Sequence, residues 1–154
     1  MDEAQSFLDE FAGPRLALIG QSFARLTGRS LLGETAWSAS SLWSAPLVVL
    51  AHGLEPDPFF FYGNHLALEL FELTPQQLVA TPSRLSAEPV GRAERARLLG
   101  QVSRKGVIED YAGVRISRTG RRFRIEQATV WNLIDQAGEL HGQAAAFDRW
   151  TNLG

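Results

Sequence analysis

Cysteine is absent from the 154-residue sequence, and its absence removes several kinds of chemistry at once. Disulfides, thiolate metal sites, iron–sulfur clusters, a cysteine nucleophile and a covalent flavin–cysteine photoadduct are all excluded. A chain without cysteine suits a reducing compartment. The acidic N-terminal sequence MDEAQSFLDEF lacks the apolar stretch of a signal peptide, so we expect a cytoplasmic protein.

Excess positive charge and long apolar runs are also missing. The net charge is -2 at pH 7, whereas nucleic-acid binders usually carry a strong basic excess. Two basic clusters, RAERARL at 92–98 and RTGRR at 118–122, are interpreted as a solvated helix face and a hairpin tip. No run reaches the roughly 18 apolar residues that a membrane-spanning helix needs. We therefore predict neither a nucleic-acid partner nor a membrane association.

The motifs of common enzymes are absent as well. The sequence has no G-x-S-x-G, no P-loop and no G-x-G-x-x-G. Its three histidines, His52, His65 and His141, lack a second ligand at the spacing of a metal site, so they are interpreted as structural or surface residues. An acid–base pair of Glu126 and His141 would need the two to meet across adjacent strands. We predict no catalytic residue, no metal site and no enzyme.

Two helices are predicted within residues 1–32. Residues 3–12 have helical periodicity, and Pro14 suits the first turn of a second helix that Gly28 ends. The second helix is amphipathic, so its apolar stripe must be covered by its own domain or by a partner chain. Residues 33–45 are interpreted as a linker that lies along the surface, because they are small and polar apart from two tryptophans. The main predicted domain covers residues 46–151.

That domain combines strands and helices. The predicted elements are, in chain order, strands at 46–52 and 58–62, a helix capped by Asn64, a short helix opened by the capping box Thr74–Gln77, a helix ended by Gly106, and three further strands. Turns at Gly120 and at 135–138 separate those last strands. This order predicts an α+β fold around a five-stranded antiparallel sheet.

The aromatic strand PFFFY at 58–62 is apolar on both faces. Successive side chains of a strand point to opposite sides, so a sheet with one wet face would show polar residues at alternate positions. We therefore expect helices on one face of the sheet, and the N-terminal helices or a second copy of the chain on the other. The rings are interpreted mainly as core, although a buried Tyr62 hydroxyl would need a polar partner.

Polar residues in the last two long strands form the candidate ligand site. Glu126, Asn132, His141 and Gln143 lie among small alanines, which leave room and directional contacts for a ligand. The alternative is a buried polar network that only fixes the register of the sheet.

The orientation of strand 121–134 stays open. Side chains alternate between the two faces of a strand. Alternation counted from Gly120 and alternation counted from the 135–138 turn assign opposite sets of side chains to the inward face, unless a bulge intervenes. Glu126 is charged in the middle of this strand and needs a partner, for which Arg115 or Arg124 is available across the hairpin.

Several segments together resemble one known family. HGLEPDPFFFYGNHLALELFE, TPSRLSAEP, RAERARLL, DYAGVRISRTGRRFRIEQATVWNLID and GELHGQAAAFDRWT are similar to the MEKHLA family, whose domains are PAS-like. Such domains occur alone in bacteria and at the C-terminus of plant class three homeodomain–leucine-zipper factors. The resemblance implies a PAS-like fold and a sensory or regulatory role, but no known reaction. The homeodomain and zipper are missing from this sequence, so DNA binding is not implied.

Two hypotheses follow from the residues and the resemblance. In the first, a PAS-like module binds a small molecule between sheet and helices and signals through association. In the second, a protein-interaction module with a filled core forms a homodimer through the N-terminal helices or the sheet face. Haem or flavin as cofactor stays open, because no residue pattern indicates either. The predicted ligand-binding residues are Phe61, Tyr62, Arg115, Glu126, Trp131, Asn132, His141, Gln143 and Phe147.

Overall fold

A computed structural model describes residues 2–87 and 92–154. Its helices are α1 (Glu3–Ala12), α2 (Arg15–Thr27), α3 (Ala39–Trp43), α4 (His65–Phe71), α5 (Pro75–Val79) and α6 (Arg92–Lys105), with a 3₁₀ turn at Ser83–Ser86. Its strands are β1 (Val48–His52), β2 (Phe60–Gly63), β3 (Val107–Ile116), β4 (Arg122–Ile134), β5 (Leu140–Phe147) and β6 (Arg149–Asn152). None of the helices in these two ranges is both long and apolar enough to cross a membrane.

The strands form one antiparallel sheet in the order β2-β1-β5-β4-β3. The predicted α+β fold with a five-stranded sheet is thereby confirmed, and one short strand is added to it. Strand β6 pairs with Phe123–Glu126 of β4, whereas β5 pairs with Thr129–Ile134 of the same strand. Strands β6 and β5 therefore pair with successive segments of the same edge of β4.

Local capping explains where the middle helices begin. Asn64 Oδ1 accepts the N–H of Ala67 in α4 and also the N–H of Val49 in β1, at 3.3 and 3.1 Å. One buried side chain therefore starts a helix and fixes it to the sheet. Thr74 and Gln77 form the predicted reciprocal capping box of α5, which satisfies two of the backbone N–H groups that a helix start leaves unpaired.

Helices α1 and α2 cover one face of the sheet, as predicted. The indole of Trp131 in β4 packs edge-on against Phe23, with ring centroids 5.0 Å apart, and its Nε1–H donates to the carbonyl of Ile19 at 3.1 Å. Ile19 and Phe23 are buried, and full burial of a side chain of this size contributes about 1.5–3 kcal/mol. The apolar stripe of α2 is thus covered by the sheet of its own chain.

Residues 33–45 contain more structure than the predicted linker. Ser38 and Ser41 form a capping box for the short helix α3, whose Leu42 and Trp43 are buried. Trp37 lies over the backbone of Gly20 in α2, where a Cβ would be 2.6 Å from the indole ring. Both indoles therefore lie along the protein, as expected. The division of the chain into 1–32, 33–45 and 46–151 stays a prediction.

A bulge in β4 explains why side-chain alternation counted from its two ends assigns opposite sets of residues to the inward face. Gln127 has a φ of 52°, and the pairing of β3 with β4 is irregular opposite it. Ile125 and Val130 line the same cavity although they lie five positions apart, which uninterrupted alternation would forbid. The residues that face the second layer of helices, α4 to α6, are consequently Phe123 and Ile125 before the bulge and even-numbered positions after it.

Candidate functional site

A small cavity lies between the sheet and the second layer of helices. Its volume is about 50 Å³, which corresponds to a few water molecules. Most of its wall is apolar, with contributions from every strand except β6 and from Phe71 of α4, Leu98 of α6 and the 3₁₀ turn. The polar groups that reach it are Arg115, Tyr111, Gln143, His52 and Ser86.

Three of the nine predicted ligand-binding residues line this cavity. Arg115 comes from β3, and Gln143 and Phe147 come from β5. The three are brought together because β3 and β5 lie on either side of β4. Tyr111 also lines the cavity and was not predicted, although its spacing to Arg115 places both on one face of a strand.

Arg115 and Tyr111 form the polar end of the cavity. The Nη2–H of Arg115 donates to the Tyr111 hydroxyl at 3.0 Å, and its Nη1–H donates to the carbonyl of Val114 at 3.0 Å. Gly113 lies between them, and a Cβ there would collide with the Tyr111 phenol and come within 3.4 Å of Arg115 Nη1. The missing side chain therefore lets the phenol and the guanidinium meet.

Asn132 supports the cavity wall rather than lining it. Its Nδ2–H donates to the carbonyl of Val102 in α6 at 3.1 Å, and its Oδ1 accepts from Gln143 Nε2 at 3.0 Å. The side chain is buried, so these bonds stabilise the contact between the last helix and two strands. For Asn132 the geometry favours the alternative interpretation, a polar network that fixes the packing of the sheet.

Three of the predicted residues face the N-terminal helices instead of the cavity. Trp131 does so because it alternates with Val130 and Asn132 along β4. Phe61 lies under the guanidinium of Arg15, whose Cζ is 3.9 Å from the ring centroid. Tyr62 is fully buried and pairs with Ala51 in the adjacent strand; burial raises the pKa of its hydroxyl, and the Asp9 carboxylate of α1 raises it further.

Glu126 lies beside β6, away from the cavity. It stands opposite Arg149 in the register of β4 and β6 and lines an open surface groove. Within the described residues it forms no ion pair with Arg115 or Arg124, so the expected pairing across the hairpin is wrong. The reason is the bulge at Gln127, because Arg115 lines the cavity while Glu126 lies outside it, opposite Arg149 of β6.

His141 lies at the mouth of the β4–β5 hairpin. Its Nε2 shares a hydrogen bond of 2.8 Å with Asp135 Oδ2, and this bond lowers the pKa of the Asp135 carboxyl. Glu139 joins them, and the three offer ligand atoms within 4.8 Å of one another. The sequence did not predict this cluster, because its members meet only when the turn closes. It is partly exposed and lies outside the cavity.

Haem and flavin do not fit the cavity. Sites for ligands of that size typically enclose about 300–1,000 Å³, several times the volume present here. Of the histidines, His52 reaches the cavity, and its Nδ1 lies 3.1 Å from the carbonyl oxygen of Gly53. A ligand of this cavity therefore has to be smaller than either cofactor.

The architecture is that of a PAS domain. The PAS domain of a protein from Colwellia psychrerythraea superposes with a TM-score of 0.62 at 11% sequence identity, covering 75% of this chain and 92% of that one. At this identity the likeness shows the fold alone.

The sequence defines the family more narrowly. The profile of the MEKHLA domain matches residues 14–152, and the chain belongs to the MEKHLA family. Among its curated relatives, the homeobox-leucine zipper protein HOX33 of Oryza sativa is 26% identical over 137 residues, and ATHB-14 of Arabidopsis thaliana is 26% identical over 140 residues. Each match covers 86% of this chain and 16% of the relative. The predicted family is confirmed, and such PAS-like sensory domains are generally non-catalytic, as expected here.

Proposed function

We propose that this MEKHLA domain is a cytoplasmic regulatory module that senses a small molecule in the cavity between the sheet and helices α4 to α6. Binding would be passed on as a change in self-association. The observation that supports the proposal is the cavity itself, which has apolar walls, a polar end formed by Arg115 and Tyr111, and a further polar group from Gln143. A few convergent polar groups in an apolar pocket are typical of small-molecule sites.

The proposal is tested by filling the cavity from one wall. Ala145 of β5 lines it, so Ala145→Leu would occupy the space that a ligand needs. Protein purified without denaturation is analysed by native mass spectrometry and absorption spectroscopy. We expect the wild type to carry a small molecule that denaturation releases, and the variant to carry about tenfold less, since each 1.4 kcal/mol of lost affinity is a factor of ten.

A matched control is Ala96→Leu, which adds the same bulk at an exposed position of α6. It should retain the ligand at the wild-type level. Circular dichroism of both variants confirms that they are folded, because overpacking alone costs about 1–3 kcal/mol. A wild-type protein that is empty after purification and binds none of a small-molecule panel would contradict the proposal.

A second candidate function is a protein-interaction module. It is favoured by an aromatic pair of α1, in which the half-buried Phe7 stacks on Phe11 with ring centroids 6.1 Å apart and Phe11 stays 46% exposed. Because α2 already packs its apolar stripe on its own sheet, self-association through the N-terminal helices would use this aromatic pair. The experiment that decides this candidate is a measurement of oligomeric state.

A further inference from the structure

The polar end of the cavity is built from alternate residues of one strand. Tyr111, Gly113 and Arg115 occupy positions i, i+2 and i+4 of β3, and Tyr111 and Arg115 both line the cavity. Arg115 Cζ lies 5.4 Å from the centroid of the Tyr111 ring, and the hydrogen bond of 3.0 Å joins the two polar ends. The guanidinium and the phenolic oxygen are therefore presented side by side.

Both groups have hydrogen-bond donors to spare. A guanidinium carries five N–H donors, and within the described residues two of them have partners, the Tyr111 hydroxyl and the Val114 carbonyl. The Tyr111 oxygen accepts from Arg115, so its own hydrogen can be donated to a third group. Two neighbouring donors, one of them cationic, match the two oxygens of a carboxylate.

Among the described residues, the positive charge of Arg115 has no counter-charge at this place. None of them forms an ion pair with it, and none of the described residues that line the cavity is an aspartate or a glutamate. Most of the other residues that line the cavity are apolar, among them Val130, Phe71 and Phe147. A half-buried cation beside apolar walls favours a ligand that brings a negative charge and an apolar body.

We propose that the ligand is a small monocarboxylate with a compact apolar body, whose carboxylate is held by Arg115 and Tyr111. The body contacts Val130, Phe71 and Phe147, and the limited volume excludes bulky acids. This inference rests on the proposed function, since it takes the cavity as the ligand site, and adds the chemical class of the ligand.

The experiment compares acetate with acetamide, which has nearly the same shape and no charge; both are small enough for the volume of about 50 Å³. Binding to the full chain is followed by NMR chemical-shift changes and by calorimetry. We expect acetate to bind at least about tenfold more tightly than acetamide, because charge-assisted hydrogen bonds are about twice as strong as neutral ones. Arg115→Met should reduce this ratio to near one, and Tyr111→Phe, which removes only the hydroxyl, should reduce it by a few-fold.

Two further variants make the test specific. Arg124→Met removes the same charge from an exposed position of β4 and should leave the acetate-to-acetamide ratio unchanged. Arg115→Lys keeps the charge but loses the planar fork, so it should recover part of the ratio. Retention of the acetamide affinity in Arg115→Met shows that this variant is folded and that its cavity is intact.

The outcomes separate the two proposals. If acetamide and acetate bind in the cavity with equal affinity, or if Arg115→Met leaves their ratio unchanged, the carboxylate inference is overturned while the sensory cavity stands. If neither probe shifts the resonances of cavity residues such as Val130 and Phe147, and the purified protein is also empty, both proposals fail.

Discussion

At the scale of single residues, one backbone angle decides which side chains enter the cavity. Gln127 has a φ of 52° in the middle of β4, a conformation that costs a residue with a Cβ roughly 1–2 kcal/mol. It moves Glu126 away from Asn132 and brings Ile125 and Val130 to one side. Glutamine is not typical of left-handed positions, so the sequence contains no sign of the bulge beyond the two conflicting counts.

This bulge predicts opposite effects of the same substitutions at two positions of β4. At Gln127, glycine should give a more stable protein than valine by about 2 kcal/mol, because glycine tolerates a positive φ and a β-branched residue does not. At Arg124, in the regular part of the strand, valine should be the more stable of the two, since it is the better strand former. Urea unfolding of the four variants measures both differences. The same order at both positions would contradict the bulge.

At the scale of elements, one carboxylate connects the end of α4 to the β3–β4 hairpin. Glu72 has a φ of 59° at the C-cap of α4, and its Oε1 accepts the hydroxyl hydrogens of Ser117 and Thr119, both at 2.5 Å. These hydrogen bonds lower the pKa of Glu72, and the nearby Arg121 and Arg118 lower it further. Because α4 lies over the sheet, this contact holds the β3–β4 hairpin in place beside the second layer of helices.

The lowered pKa of Glu72 makes this contact depend on pH. The ionised form is favoured in the folded state, so the stabilisation is complete above the unfolded pKa of about 4.5 and is lost as the pH falls through the lower folded value. Glu72→Gln should therefore be less stable than wild type at pH 7, and the difference should shrink below pH about 4. Thermal unfolding at both pH values measures it.

A control for that prediction is Glu34→Gln, which removes a carboxylate from an exposed loop position. The loss of stability at pH 7 should be smaller than in Glu72→Gln and should not follow the same pH dependence. Asp135 also has a lowered pKa, so the wild type itself loses stability in acid for a second reason. A difference between Glu72→Gln and wild type that stays constant from pH 7 into acid would refute the role of the ionised carboxylate.

At the scale of the whole molecule, the fold was easier to predict than the site. The caps at Asn64 and Thr74 and the turns at Gly120 and 135–138 are local signals, and they fixed the order and type of the elements. The site depends on which strands become neighbours and on the bulge, neither of which is local. Of the predicted ligand-binding residues, Arg115, Gln143 and Phe147 line the cavity, whereas Trp131 and Tyr62 belong to the contact with the N-terminal helices.

Tyr111 belongs to a pattern that the amino-acid sequence does contain. The run Tyr111-Ala112-Gly113-Val114-Arg115 puts an aromatic ring, a gap and a cation on one face of a strand. The spacing alone is enough to indicate that the ring and the cation are neighbours. The spacing does not indicate that this face of β3 points to the cavity. Asp110 of β3 has a positive φ, as Gln127 of β4 has, and the pairing of the two strands is irregular.

The arrangement of the whole molecule also predicts how copies would associate. Helix α1 buries Leu8 and Ala12 against its own domain, packs Phe7 partly against the same core and leaves Phe11, which stacks on Phe7, 46% exposed. If this pair is the contact, Phe11→Glu should convert dimers into monomers, because a charge would be buried without a partner. Sedimentation velocity across the micromolar range measures the distribution. Removing residues 1–32 would not test this, since Ile19 and Phe23 belong to the core.

Gln21→Glu is the matched control, because it adds the same charge on an exposed position of α2 outside the aromatic pair. It should sediment as the wild type does. The prediction is wrong if the wild type is already monomeric throughout the concentration range, or if Phe11→Glu dimerises as well as Gln21→Glu. Repeating the series with saturating acetate then tests whether occupation of the cavity changes association, because a ligand shifts an equilibrium only by its different affinity for the two states.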